Sequence, residues 1–504
     1  MKKSLLLLLV LALAALPVFA GGDSEAIQES TGEKPILNIL NYNVGYNMTA
    51  AVEYQVIEEV SGYKVNYEVL PSEHASEILM LNLSMDNNYD AVVIQEASDF
   101  QTLMSAGALL PLNDYIDQFA PELWNCVRAE VWEGVSDADG NVYALPSTSS
   151  IKKEVSHNMS VRMDLVEKAG LSKELPTTIS EFYDFCKKLK EFYGNEYIIL
   201  TGPDDSNISI PQCFLSAFGI TNDWMLDENG KVIYMTEHEN FPALIEYMNK
   251  LYKEGILDPD FAINNMTTTN EKFASGRAII CMNSRGTINP TSKSLFKNVP
   301  GIDAEDIGYI PYLHADDGSA SIQLNEGYSI FTLIPRGAAK NAEHVIKYAA
   351  SKVENQELFF IGEEGVHFVW DEDGYPTPIQ PTFTDERNKA NNYLMIKNDH
   401  EWETQFYCRL RKDEMIWRMF SACSIDVLEK DPNLFVPAYF AYNTSTDYKK
   451  RNPSLLMNLN TYLIQLVTDV KDLDSSYSTF LKDFTASGGE TVRAGLQEYI
   501  DSRN

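Results

Sequence analysis

Hydrophobic and polar residues follow a regular order in the first hundred positions of the chain. Apolar runs and strict alternation predict three strands, and apolar residues three or four positions apart predict two helices between them. The helix that carries Val52, Val56 and Val60 is expected to end at Ser61-Gly62. The predicted order is strand 36–40, helix 52–60, strand 65–69, helix 78–83 and strand 91–94. This alternation predicts a parallel sheet with helices on its faces, and therefore an α/β fold.

Polar residues follow two of these predicted strands. Asn43 comes just after the first strand, and Gln95 and Glu96 come just after the third. In open α/β sheets, ligands bind beyond the carboxyl ends of the strands. We therefore take Asn43, Gln95 and Glu96 as candidate ligand-binding residues. The competing interpretation is that such residues only cap the helices that follow.

The segment 146–150, Pro-Ser-Thr-Ser-Ser, interrupts the pattern after a predicted strand at 142–145. Small hydroxyl residues after a proline suit a hinge or a crossover that contacts a sugar, because they offer donors and acceptors without bulk. Ser147 and Ser149 are therefore candidates for ligand contact. An ordinary surface loop explains the same composition.

A second series of strands and helices begins at Val155. Thr178 and Glu181 have the spacing of a capping box, which predicts the start of a helix whose aromatic stripe is buried core. Asn283 and Arg285 follow a later strand at 278–282, and Glu326 precedes another at 328–333. These three side chains are candidates for contact with ligand hydroxyls or carboxylates. Surface salt bridges are the ordinary alternative for Arg285 and Glu326.

Two tryptophans lie near predicted loops and are candidates for stacking on the flat apolar face of a ligand. Trp224 falls in a polar turn region, and Trp370 lies beside a predicted hairpin turn at Asp373-Gly374. Partial burial as packing residues is the alternative for both. Trp132 is a weaker candidate, and Trp402 and Trp417 fall in helical patterns that indicate core.

The N-terminal segment has the features of an export signal. Lys2 and Lys3 precede an apolar run from Leu5 to Leu16, and small residues end the segment near Ala20. No cysteine stands at the expected cleavage site to take a lipid. We expect residues 1–20 to be a signal peptide, residues 21–35 to be a flexible leader, and the mature protein to be periplasmic or extracellular.

Composition excludes some functions and leaves others open. The chain has 504 residues and a formal net charge of -33, which argues against nucleic acid and anionic lipid as partners. The six cysteines are scattered singly, so buried free thiols are the expected state for most of them, although export permits disulfides. The sequence contains no G-x-S-x-G or phosphate-loop motif, and neither His-Glu pair has the second histidine of a zinc protease. These missing motifs, together with the family resemblance that follows, lead us to expect no enzyme activity, no cofactor and no metal.

Several motifs together resemble the extracellular solute-binding proteins of carbohydrate ABC transporters, family 1, and most of all their LplA-like branch. The resemblance covers nearly the whole expected mature chain, and its strength lies in the order and spacing of the motifs. The matching segments are 140–146 (GNVYALP), 161–171 (VRMDLVEKAGL), 175–182 (LPTTISEF), 251–261 (LYKEGILDPDF), 273–278 (FASGRA) and 363–368 (EEGVHF). Similar proteins often carry a calcium loop after the helix that is expected to end here at Tyr193. This chain continues through Gly194 directly into a strand, so no metal is expected there.

The resemblance implies a periplasmic-binding-protein type II fold, with two α/β lobes joined by a hinge and extra C-terminal helices. We expect lobe one to comprise 36–146 and 283–334, and lobe two to comprise 147–282 and 335–504. The implied function is capture of a carbohydrate, expected to be an oligosaccharide, between closing lobes and its delivery to the membrane permease by a monomer. A binding protein for another solute such as a peptide, and a secreted glycan-degrading enzyme, remain open alternatives.

Overall fold

The structure is a computed structural model that describes residues 33–85, 89–202, 208–442, 454–468 and 473–503. The expected signal peptide, residues 1–20, and most of the expected leader lie outside these residues. Within the described ranges, no helix is both long and apolar enough to cross a membrane.

Fifteen strands are found in the part of the chain that the structure describes. They are β1 Leu37–Asn41, β2 Val65–Val69, β3 Ala91–Ile94, β4 Leu145–Thr148, β5 His157–Arg162, β6 Ile198–Leu200, β7 Trp224–Leu226, β8 Val232–Tyr234, β9 Ala278–Ser284, β10 Ile307–Ile310, β11 Ile322–Gln323, β12 Tyr328–Leu333, β13 Phe368–Trp370, β14 Pro376–Pro378 and β15 Phe435–Val436.

Helices connect most of these strands and form the C-terminal part of the described chain. The α-helices are Val52–Ser61, Ala75–Ser84, Ala97–Ser105, Asn113–Phe119, Ala129–Glu133, Met163–Lys168, Ile179–Tyr193, Gln212–Leu215, Phe241–Lys253, Met266–Ala274, Arg285–Asn298, Ala342–Glu354, Gln356–Phe360, Thr382–Arg387, Asp399–Arg411, Glu414–Phe420, Asp426–Lys430, Ser454–Thr468, Leu473–Ala486 and Gly489–Asp501. Shorter 3-10 turns are Met48–Ala50, Pro121–Asn125, Ser216–Phe218, Met235–Glu237, Ala304–Asp306, Arg336–Asn341 and Ala390–Tyr393, and Ser421–Ile425 is a π-turn.

The chain divides into two compact α/β units, as the sequence predicted. Among the described residues, unit 1 comprises 33–150, 326–412 and 441–442, and unit 2 comprises 151–325, 413–440 and 454–503. The expected boundaries need correction, because 283–325 belongs to unit 2, whereas unit 1 includes 147–150, 335–412 and 441–442. Helix Arg285–Asn298 packs on helix Met266–Ala274 of unit 2, and helix Ala342–Glu354 packs on helices Val52–Ser61 and Asn113–Phe119 of unit 1.

Unit 1 is built around a five-stranded sheet in the order β2-β1-β3-β12-β4. Strand β1 is parallel to β2 and β3, whereas β12 is antiparallel to both β3 and β4. Strand β4 therefore runs in the same direction as β1 and β3. The carboxyl ends of β1, β2, β3 and β4 meet at one edge of the sheet, together with the start of β12, and we call this the carboxyl edge of unit 1.

One hydrophobic core holds the helices of unit 1 on this sheet. Strand β3 is buried on both faces, as its continuous apolar sequence predicts for a central strand. The rings of Phe100 and Phe331 stack on each other with centroids 5.1 Å apart, joining helix Ala97–Ser105 to β12. The short hairpin β13–β14, predicted at Asp373-Gly374, also belongs to this unit.

Unit 2 contains a four-stranded sheet in the order β10-β5-β9-β6. Strands β6 and β9 are parallel, and β5 is antiparallel to both β9 and β10. The predicted capping box is present, since Thr178 Oγ1 accepts from the Glu181 amide and the Glu181 side chain accepts from the Thr178 amide. Helix Ser454–Thr468 packs on helix Phe241–Lys253, and the two helices that follow extend the predicted C-terminal helical region within unit 2.

Candidate functional site

Three of the predicted residues come together at the carboxyl edge of unit 1. Asn43 follows β1, and Gln95 and Glu96 follow the neighbouring strand β3. All three are exposed, and the Asn43 side chain also accepts a 2.8 Å hydrogen bond from the Gly45 amide. The strand order explains this grouping, because β1 and β3 are parallel neighbours that end at the same level.

The two predicted serines lie at the same edge but in different environments. Ser147 is fully buried within β4, and its hydroxyl has no hydrogen-bond partner among the described residues. The expectation of an accessible loop residue is therefore wrong for Ser147, because 145–148 form a strand paired with β12. Ser149 is partly exposed, and its amide donates 2.9 Å to the Gly327 carbonyl. The Ser149 hydroxyl donates 3.4 Å to the same carbonyl, and the residue stays partly exposed at the edge.

Glu326 is engaged in an ion pair at the start of β12. Its side chain is 7% exposed and contacts Arg128 Nη2, whose side chain is 44% exposed. Arg128 also donates 3.3 Å to Tyr442 Oη, and burial, followed by the charge of Glu326, raises the pKa of Tyr442 to about 12. The salt-bridge interpretation of Glu326 is thus the one that the structure supports, with Arg128 as the more accessible partner.

A buried polar group that the sequence did not reveal fixes the end of β4. Thr148 Oγ1 donates 2.7 Å to Asp399 and accepts 2.9 Å from Lys397 Nζ, which is itself paired with Asp399. These contacts tie the first turn of helix Asp399–Arg411 to the carboxyl edge. They also place His400, which is exposed, beside the edge.

A pocket of about 730 Å³ lies within unit 1, and we call it the tryptophan pocket. Its volume lies in the range of about 300–1,000 Å³ that is common for small-molecule sites. It is lined by Asn113, Trp124, Asn125, Val127, Ala129, Trp132, Glu133, Ser136, Asp137, Ala138, Gly140, Val142 and His400. Sequence reasoning ranked Trp132 low and did not select Trp124, although the two aromatic residues are eight positions apart next to a polar turn.

Hydrogen bonds hold both indole rings of this pocket in place. Trp124 Nε1 donates 2.7 Å to Asp117 Oδ1, and Trp132 Nε1 donates 3.2 Å to the Trp124 carbonyl. The ring centroids are 4.7 Å apart at an interplanar angle of 63°, an edge-to-face contact. Because both N–H groups are satisfied by the protein, what the indoles can offer a ligand is apolar ring surface.

The polar lining of the pocket is partly committed to the protein and partly accessible. Asp137 accepts hydrogen bonds from Asn141 and from Tyr143 Oη; although burial raises its pKa, these bonds hold the pKa of Asp137 below its ordinary value. Asn125 and His400 are exposed at the pocket. An amide and an imidazole beside apolar rings can donate to and accept from hydroxyl groups.

In unit 2, Asn283 and Arg285 lie at the carboxyl end of β9. Asn283 is buried, and its Nδ2 donates 2.9 Å to Ser160 Oγ on β5, so the expectation of ligand contact is wrong for this residue. Arg285 Nε donates 2.6 Å to Glu154 Oε1. The Glu154 side chain is 0% exposed and that of Arg285 is 27% exposed, so the pair presents its guanidinium side to solvent.

The two tryptophans predicted as stacking platforms differ in solvent exposure. Trp224 is 2% exposed and packs against Tyr234 and Phe484 in the core of unit 2, with the Arg493 guanidinium 5.6 Å from its ring centroid. It presents no face to a ligand, and this expectation is corrected. Trp370 is 39% exposed on the β13–β14 hairpin of unit 1 and keeps an accessible ring.

Comparison with known proteins assigns the chain to a family. Residues 50–362, more than half of the chain, match the model of the bacterial extracellular solute-binding proteins. The chain belongs to this family. The resemblance seen in the sequence motifs is therefore confirmed at the level of the family.

Relatives and solved structures agree with this assignment. The chain is 22% identical to the lipoprotein LipO of Bacillus subtilis over 428 residues, which is 81% of this chain and 80% of LipO. It is 21% identical to the polygalacturonan/rhamnogalacturonan-binding protein YtcQ of the same organism, over 78% of this chain and 77% of YtcQ. The structure of the Streptococcus pneumoniae ABC-transporter substrate-binding protein FusA with kestose superposes with a TM-score of 0.65 at 17% identity, covering 93% of this chain and 99% of FusA. This likeness shows that the fold is that of the periplasmic binding proteins.

Proposed function

We propose that this protein is the substrate-binding component of an ABC importer and that it captures a carbohydrate, expected to be an oligosaccharide. Membership of the solute-binding family supports capture of a solute. Two similar proteins, YtcQ and FusA, are described as binding a glycan or as holding kestose. The observation that carries the proposal is the tryptophan pocket, where two fixed indoles face a space of about 730 Å³.

The chemistry of a sugar ring matches this surface. A pyranose has an apolar C–H face that packs on aromatic rings, and its hydroxyls need planar or hydroxylic partners. Asn125 and His400 supply such partners at the pocket. Asn43, Gln95, Glu96 and Ser149 supply further ones along the carboxyl edge of unit 1.

Other predicted residues enter the proposal with smaller roles. Trp370 keeps an accessible ring on its hairpin, and Arg285 keeps a partly exposed guanidinium in unit 2. Glu326 acts through Arg128, which it orients. Ligand-linked closure of the two lobes stays a prediction of the family resemblance.

The proposed role is capture and release without chemical change. An affinity near micromolar, about -8 kcal/mol, would allow both uptake from dilute solution and delivery to a permease. The proposal also includes export by the N-terminal signal, a membrane permease as partner and a monomeric state. The family and the compared proteins are binding proteins, which supports a role without catalysis.

A thermal-shift screen of residues 21–504 tests the proposal. The panel contains neutral and acidic mono- and oligosaccharides, with amino acids and short peptides as controls. A ligand at about 100 times its dissociation constant adds ~2.7 kcal/mol of stability, which is a readable shift. We expect shifts with one class of glycan. Shifts confined to amino acids or peptides, or new reducing ends after incubation with an oligosaccharide, would overturn the carbohydrate-capture assignment.

A further inference from the structure

We propose that the tryptophan pocket binds an uncharged pyranose unit, with Trp124 as its stacking platform, and that it selects against sugars that carry a carboxylate. This inference rests on the proposed function and names the class of glycan that the function serves. The fixed rings, the apolar lining and the charges of the pocket support it.

The orientation of Trp124 is set before any ligand arrives. Its indole N–H is held by Asp117 Oδ1 at 2.7 Å, and its backbone carbonyl holds the indole N–H of Trp132 at 3.2 Å. Trp124 is partly exposed, whereas Trp132 is buried at 7% exposure. Both rings line the pocket, and Trp124 is the more accessible of the two, so it is the ring that a ligand can cover. A ring that is already immobilised loses little conformational entropy on binding.

The rest of the pocket suits the C–H side of a sugar. Val127, Ala129, Ala138 and Val142 supply small apolar groups around the two indoles. Ala129 and Ala138 are exposed and carry only a methyl group, so they leave the pocket open to solvent at these two positions. Hydroxyl groups on the outer side of a bound ring would meet Asn125 and His400. This division into an apolar wall and an accessible polar rim is typical of small-ligand sites.

The charges that line the pocket distinguish a neutral sugar from an acidic one. Glu133 and Asp137 bring two carboxyl groups to the lining, and hydrogen bonds keep the pKa of Asp137 below its ordinary value, so this group is an anion at neutral pH. Among the described residues that line the pocket, His400 has the one basic side chain. Arg128, the nearby guanidinium in the sequence, is paired with Glu326 and does not line the pocket.

A uronic acid bound here would place its carboxylate near these two acidic side chains. Like charges at close range repel each other, and the repulsion is stronger where protein excludes water. An uncharged hexose avoids this penalty and keeps the stacking contact. The high negative charge of the whole chain, -33, acts in the same direction at longer range.

The test measures binding of residues 21–504 to a glycan array that carries neutral and uronate-containing oligosaccharides, followed by calorimetric titration of the best-bound glycan. We expect the best-bound glycans to be neutral and Trp124→Ala to weaken binding about tenfold or more. Trp124→Phe keeps a ring and should lose less. Phe192→Ala, which removes an exposed aromatic of unit 2, should leave affinity unchanged within twofold.

Ala138 gives a second test that leaves both tryptophans in place. Ala138→Phe should block the pocket and weaken binding even if Trp124→Ala fails to fold. Ala138→Lys and Ala138→Glu form a matched pair at one exposed position. The lysine variant should raise the affinity for uronate glycans relative to neutral ones, and the glutamate variant should lower it.

The outcomes separate this inference from the proposed function. Preferred binding of uronate glycans by the unaltered protein overturns the selection against carboxylates. Glycan binding that survives both Trp124→Ala and Ala138→Phe overturns the pocket while leaving carbohydrate capture intact. Binding of peptides with no glycan bound overturns the pocket and the proposed function together.

Discussion

The indole Nε1 of Trp124 donates a 2.7 Å hydrogen bond to Asp117 Oδ1 and so fixes the accessible ring of the tryptophan pocket. Asp117 is exposed on helix Asn113–Phe119 and is not part of the pocket lining. It therefore acts on a ligand only through the orientation of Trp124.

Replacing Asp117 tests this positioning role. Asp117→Ala should weaken glycan affinity about two- to tenfold, because a lost hydrogen bond of ~0.5–1.5 kcal/mol leaves the ring free to rotate. Asp114→Ala removes a similar charge from the same helix and should leave affinity unchanged. Calorimetric titration of both variants makes the comparison. Equal affinities would show that the bond does not preorganise the ring.

Trp224 should behave as a core residue. Trp224→Ala removes a ring that is 2% exposed and in contact with Tyr234 and Phe484, so we expect a loss of about 3–5 kcal/mol in the free energy of unfolding. Glycan affinity of the folded fraction should stay within twofold of the parent. Urea unfolding and titration measure the two quantities. Weakened binding at unchanged stability would return Trp224 to the site.

Lys272 should stabilise unit 2 by holding a buried carboxylate. Its Nζ donates to Asp258 Oδ2 at 2.8 Å, to Asp260 Oδ2 at 3.0 Å and to Asn264 Oδ1 at 3.0 Å, and Asp258 is 0% exposed. Lys272→Met leaves Asp258 without this partner and should cost ~3–5 kcal/mol in the free energy of unfolding. The exposed Lys297→Met is the matched control. Urea unfolding that shows less than about 1 kcal/mol of difference between the variants would refute this role.

Lys352 should make the stability of unit 1 depend on pH. It is 3% exposed, and burial lowers its pKa well below the ordinary 10.5. The unfolded chain then binds a proton that the folded chain does not bind, so the free energy of unfolding rises with pH between the lowered pKa and 10.5. The rise from one group is at most ~1.4 kcal/mol for each pH unit.

The variant Lys352→Met removes the titrating amine, and with it this contribution to the pH dependence of the free energy of unfolding. The difference in the free energy of unfolding, Lys352→Met minus parent, should be largest at the acidic end of the window. This difference should fall steadily towards pH 10. The exposed Lys340→Met corrects for loss of an ordinary lysine. Urea unfolding at several pH values gives the slopes. Parallel curves for parent and Lys352→Met would show that Lys352 carries its proton in the folded state.

Local patterns predicted much of the fold. The helix predicted at 52–60 is present as Val52–Ser61 and ends at Gly62, which has a φ of 66°. The spacing that predicted this helix did not identify its buried face, because Val52 is 47% exposed while Tyr54 and Ile57 are buried. Spacing gives the period of a helix, but only tertiary packing decides which face is covered.

Contacts between residues far apart in the sequence account for the features of the fold that local patterns did not predict. Strand β12 inserts between β3 and β4, in agreement with the predicted return to lobe one, but helix Ala342–Glu354 then packs on helix Val52–Ser61 and keeps 335–412 in unit 1. Asp399 reaches Thr148 from 251 positions away, so no local pattern predicts that contact. Trp224 was selected for its polar neighbours Asn222 and Asp223, yet its own side chain points into the core.

Native mass spectrometry of residues 21–504, mixed with equal concentrations of neutral oligosaccharides, uronate oligosaccharides and short peptides, tests the central claim most directly. Carbohydrate capture predicts a one-to-one complex whose added mass is that of an intact oligosaccharide. A bound peptide, a shortened glycan, or no glycan adduct across the panel would contradict it.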